Sequence, residues 1–195
     1  MASGVSLGGA PWQFISRGKF ALFVGASLML VLLIRKSPEG FLPLIDHANL
    51  LFHEAGHPFY GLFSRRLEPY GGTLGQLTFP LILAGSFWRK GQPLSFAASL
   101  LWFFENWLNI ARYMADARKL QLPLVGGGDH DWNTIFSRWN VLRYDDRIAS
   151  GVHLGGWLGL GLVALWVCWR LYAQGNEAPQ TAGAEDEFTR LMRMD

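Results

Sequence analysis

The chain alternates apolar runs with short polar breaks, many of them basic. Phe20 to Ile34 carries no charge and is bracketed by Lys19 and Arg35-Lys36. A helix of that length reaches about 22 Å, short of a hydrocarbon core of about 30 Å. Basic side chains at both ends can snorkel and close the gap. A secretory signal would need a small-x-small cleavage site, whereas Arg35-Lys36-Ser37-Pro38 follows, so an uncleaved span is expected. Gly71 to Trp88, Pro93 to Met114 and Val152 to Trp169 read as further membrane helices, with Pro80 placed to kink the first of these. Residues 41–63 are mostly apolar but carry Asp46, His47, Asn49, His53, Glu54 and His57. Residues 117–149 are polar and broken at Gly126–Gly128, which predicts a loop or surface subdomain. The tail from Ala173 is polar and acidic, apart from a weak amphipathic end at Phe188, Leu191 and Met192. Disorder is expected there. No repeat and no strand pattern stands out. The expected fold is all-α: a polytopic helical membrane protein with four or five membrane helices. A single helical membrane domain would cover 1–172, with the polar loop 117–149 inside it and a tail over 173–195.

Composition agrees with a bilayer environment. Only 16% of the 195 residues are charged and 50% are hydrophobic, whereas soluble domains carry about a quarter charged residues. The net charge of +2 gives no electrostatic footprint for nucleic acid, so the lipid bilayer is the expected partner. Lys and Arg show a slight excess on the side of the N-terminus if residues 41–63 span, which favours a cytoplasmic N-terminus. Gly155, Gly156, Gly159 and Gly161 suit close helix contact in lipid. The single cysteine, Cys168, lies in an apolar run and is expected to be a buried, inert thiol.

The chemistry concentrates in His53-Glu54-Ala55-Gly56-His57, an HExxH. Histidines four apart on a helix share a face and can reach one metal ion. The glutamate beside the first histidine can accept a proton from a water at that ion. His47 and His153 have no ligand spacing and are expected to serve as ordinary polar contacts. Asp46 or Asn49 could orient an imidazole of the pair, and Asp46 could equally cap its helix. A catalytic zinc wants a third protein ligand. Glu105, Asn109, Arg112 and Asp116 form a polar stripe at helical spacing, and Asp129-His130-Asp131-Trp132 follows the glycine run. Asp116 ranks first as third ligand, then His130, then Glu105. An ion pair with Arg112 or Arg118 is the competing role for Asp116, and a solvated turn is the competing role for 129–131.

At these residues the chain resembles the intramembrane zinc metalloproteases of the site-2 protease type. The resemblance implies His53 and His57 as ligands, Glu54 as general base, Asp116 as the aspartate of a later helix, and Asn109 or Asn106 in that helix's Asn role. Arg112 stands where that family has a proline after the asparagine, and Ala117 where it has a glycine after the aspartate. The chain also resembles small bacterial membrane proteins with HEAGH and a glycine loop ending in HDW. This implies an integral protein of the bacterial inner membrane.

The expected function is a membrane-embedded zinc hydrolase, a peptidase acting in or beside the bilayer on a membrane protein or peptide. Glu54 is the expected base, and His130 or an asparagine of residues 93–114 the expected oxyanion support. Two other readings compete with it. One is a non-catalytic membrane subunit whose metal is structural or absent. The other is a zinc-dependent lipid amidase.

Overall fold

The computed structural model describes residues 9–37, 41–125 and 129–191, with side chains as far as 175. Gly126–Gly128 and Met192 lie outside the described residues, as do the side chains of Phe188 and Leu191. The described residues form six α-helices and one 3₁₀ turn, with no strand among them. The helices are α1 (Arg17–Lys36), α2 (Pro43–Gly61), α3 (Glu68–Arg89), α4 (Pro93–Ala115), α5 (Asp131–Arg138) and α6 (Asp145–Leu191).

Local sequence sets the boundaries. The Ser16 hydroxyl accepts from Lys19 N at the start of α1, and Arg35 and Lys36 face the carbonyl end of its dipole. Prolines open α2, α3 and α4 within their first two positions, where the missing N–H costs nothing. Pro80 lies inside α3 without ending it. The α3–α4 turn needs Gly91, whose φ is +62°. A strap formed by the N-terminal segment crosses this turn: Ala10 N donates to Arg89 O at 3.0 Å and Gln13 N to Gly91 O at 2.7 Å.

The helices pack in the order α2, α3, α4, α6, with α1 leaning on α4 and α6 through Phe20 and Phe23. Two sets of glycines bring backbones together. Gly155, Gly156 and Gly159 of α6 receive Trp107, Leu108 and Phe104 of α4, whereas Gly161 meets nothing within 4 Å. The closer crossing is α2 on α3. There a Cβ on Gly71 would stand 2.6 Å from Gly56 O and 2.8 Å from His57 Cα. Gly71 and Gly75 are the small residues of a small-xxx-small face, and Gly56 is the glycine inside HEAGH.

Among the described residues, two helical segments are long and apolar enough to cross a membrane: Arg17–Lys36 and Leu142–Gly175. Gly71–Trp88 and Pro93–Met114, expected as spans from their run lengths, are helical but too polar to meet the same standard. Along α6, Leu154, Leu158, Leu162, Leu165, Trp169 and Tyr172 form one exposed stripe. Cys168 is exposed, not buried as expected, because α6 turns Val163 and Val167 inward against α4. At roughly 1.5 Å per residue, α6 is roughly 70 Å long. Its backbone continues through residues 176–191, where disorder was expected. Washing membranes with alkaline carbonate should leave the protein in the pellet, since α1 buries none of its apolar window against the rest of the chain. Recovery in the supernatant would contradict a membrane-integral α1 and α6.

Candidate metal centre

His53 and His57 share one face of α2 near its C-terminal end, as the i, i+4 spacing requires. The third group is Asp131, the first residue of α5. Its Oδ2 lies 2.9 Å from His53 Nε2 and 3.3 Å from His57 Nε2. Among the described residues, these three are the group of His, Cys, Asp or Glu able to share one ion, with one ligand atom from each, all within 4.8 Å of one another.

The local sequence of α5 explains the placement. His130 caps the helix, its Nδ1 accepting from Asn133 N at 3.2 Å. Trp132, Ile135 and Phe136 are buried against Ile110 and Met114 of α4, which fixes the helix on the bundle. Asp131 N donates to the Tyr113 hydroxyl at 3.2 Å. The HDW run therefore divides three tasks: a cap, a carboxylate on the histidine pair and a core anchor.

Hydrogen bonding fixes the tautomer of His57 and orients the ring of His53. His57 Nδ1 lies 2.8 Å from Glu68 O, a pure acceptor, so Nδ1 carries the hydrogen. His53 Nδ1 lies 3.1 Å from Gln76 Oε1 and carries the hydrogen when that amide presents its oxygen. In the neutral rings both Nε2 lone pairs then face a carboxylate oxygen. Three potential ligand atoms converge on one point, where either a shared cation or a proton on an imidazole nitrogen would bridge them. Ligand atoms about 2 Å from a tetrahedral zinc stand about 3.3 Å apart, near the separations found here. The donor set fits zinc: two imidazole nitrogens and a carboxylate, each imidazole oriented by an outer hydrogen bond.

No family model, curated protein or solved structure matches the chain.

Burial would raise the Asp131 carboxyl, but its contacts with His53 and His57 outweigh that and hold it below the ordinary carboxylate range. Burial keeps His130 below the ordinary imidazole range, despite the nearby Asp116 and Asp131 carboxylates.

The remaining expected site residues fall in three places. Glu54 lines the same cavity of about 810 Å³ as His53, His57, Asp131, Gln76, Asn109 and Tyr113. Asp116, ranked first as third ligand, is elsewhere. Helix α4 ends at Ala115, so Asp116 closes the helix instead of extending its polar stripe. Its carboxylate accepts from Gln121 N and Leu122 N, each at 3.0 Å, and lies 3.5 Å from His130 Nε2. Neither Asp116 nor His130 lines the cavity; the capping role of His130 turns its ring toward Tyr113 and Asp116, not toward the histidine pair. Glu105 is buried one layer away, accepting from Asn49 Nδ2 at 2.9 Å. His47 and His153 are exposed and outside the ligand group, though His47 lines the same cavity.

Two residues of the site are not singled out by the motif pattern. Gln76 carries one signal, an amide in the middle of an apolar helix. Asp131 carries another, a carboxylate at the first position of a helix whose next apolar residues are buried.

Proposed function

We propose that this chain is a membrane-embedded zinc-dependent hydrolase of the bacterial inner membrane, cleaving peptide bonds in or beside the bilayer. The observation that carries the reading is the convergence of His53, His57 and Asp131 on one point of a cavity that Glu54 also lines. The exposed apolar residues of α2 (Leu44, Leu51, Phe59) and of the turn after it (Leu62, Phe63) support contact with lipid and so a bundle of more than two membrane helices.

His53, His57 and Asp131 would hold the metal. When bound, zinc supplies a Lewis acid that makes water a usable nucleophile near neutral pH and polarises a carbonyl. Glu54, a carboxylate beside the ligands but outside the ligand set, takes the proton from water and returns it to the leaving amine. The Tyr113 hydroxyl, which accepts from Asp131 N, fixes the carboxylate-bearing end of α5 against α4. Leu50, Leu122, Leu124 and Val125 form an apolar wall of the cavity, suited to an apolar stretch of peptide. That wall would also receive an acyl chain, which makes a lipid amide the second substrate class. Turnover of a lipid amide with none of a peptide would decide for it.

Metal analysis of the purified full chain tests the reading. One zinc per chain is expected, lost in His53→Ala, His57→Ala and Asp131→Ala, and kept in Asp116→Asn and Glu105→Gln. Zinc retained by Asp131→Ala, or absent from the unmodified protein, would overturn it.

A further inference from the structure

The polar contacts behind His53 form a directed chain. Asp46 Oδ1 accepts from Asn109 Nδ2 at 2.5 Å. Asn109 Oδ1 accepts from Gln76 Nε2 at 3.0 Å. Gln76 Oε1 accepts from His53 Nδ1 at 3.1 Å. An amide can turn over and exchange its donor and acceptor ends, so neither Asn109 nor Gln76 has a polarity of its own. Asp46 has one. Its oxygens already accept from Leu42 N on one side and from the amides of Asn109 and Asn49 on the other. An ionised carboxylate can only accept. The direction therefore runs outward from Asp46: Asn109 must present its NH₂, Gln76 must present its NH₂ to Asn109, and an oxygen is left for His53.

We propose that Asp46, through Asn109 and Gln76, is a positioning residue that locks His53 in the Nδ1–H tautomer and so keeps Nε2 open for the metal. The proposal rests on the zinc reading above. Asp46, Asn109 and Gln76 come from α2, α4 and α3, so the relay also reports that three helices are in register. Asp46 is buried and does not belong to the His53, His57 and Asp131 group; its effect on the metal passes through the two amides.

The relay makes a prediction that a merely structural role does not. Asp46→Asn leaves one oxygen at that position for two demands, Leu42 N and Asn109 Nδ2, and the direction of the chain is lost. Gln76→Glu places acceptors on both ends of that side chain, so His53 Nδ1–H is served whichever way Asn109 turns. The affinity of the full chain for Zn²⁺ alone, read by chelator competition in detergent, should fall by about tenfold to a hundredfold in Asp46→Asn, the range for lost outer-shell partners. In the Gln76→Glu background the same Asp46→Asn change should cost less than about threefold, because the partner that orients His53 no longer depends on position 46. The ¹⁵N resonances of His53 should show a mixture of tautomers in Asp46→Asn and a single Nδ1–H form in the double variant. Equal losses in both backgrounds, or no loss in Asp46→Asn alone, would overturn the relay. If Asp46→Asn does not accumulate, Asn109→Leu cuts the same chain at its middle and carries the same two expectations. A protein that binds no zinc at all, with His53→Ala indistinguishable from it, would instead refute the zinc reading.

Discussion

Glu54→Gln should retain one zinc per chain and the thermal midpoint of the parent, while its turnover falls by at least about a hundredfold, the lower end for loss of a general base. The substitution keeps the shape and removes the ability to accept a proton. Glu54 lines the cavity with His53, His57 and Asp131 but is not a member of the ligand group, so the metal has no reason to leave. The measurement is a paired one, of metal content and hydrolysis on the same preparation. Zinc lost together with activity would make Glu54 a ligand. Zinc kept with activity unchanged would leave a structural site without chemistry at Glu54.

The second large effect is expected at a residue with no functional group. A Cβ on Gly56 would overlap the carbonyl of Gly71, and the neighbour is backbone, which cannot rotate away. Overpacking of this kind costs about 1–3 kcal/mol, and a rigid neighbour places Gly56→Ala at the upper end of that range. Relief requires α2 and α3 to separate. That move carries His53 away from Gln76 on α3 and His57 away from Glu68 O, so both orienting bonds weaken together. Gly56→Ala should lower the thermal midpoint and weaken Zn²⁺ binding by at least about tenfold. Gly25→Ala on α1 meets nothing within 4 Å and serves as the control. A Gly56→Ala protein that melts and binds zinc like Gly25→Ala would show that the crossing is looser than described.

Helices α1, α4 and α6 were legible in the sequence because apolar run length and basic flanks are local signals, and so was the shared face of His53 and His57. Asp131 was not, because its contact with the pair spans 78 positions of chain and depends on where Trp132 and Phe136 anchor α5. Asp116 looked better placed only because the polar stripe of α4 was extended past Ala115, the true end of the helix, onto its closing residue. The α2–α3 crossing was likewise hidden: Gly56 reads as a variable position of HExxH, and Gly71 and Gly75 as features of an apolar run. What they accomplish becomes visible only when the two helices are laid together.

The order of the ligands along the chain has a consequence for biosynthesis. His53, Glu54 and His57 leave the ribosome well before Asp131, so the nascent protein holds two of the three clustered residues while α3 and α4 are still being made. The carboxylate that completes the set arrives on α5, the helix that Trp132 and Phe136 seat on α4. If the proposed metal centre forms as described, it would stay incomplete until α5 docks on α4, so the last step of its assembly belongs to the chain's own later segment.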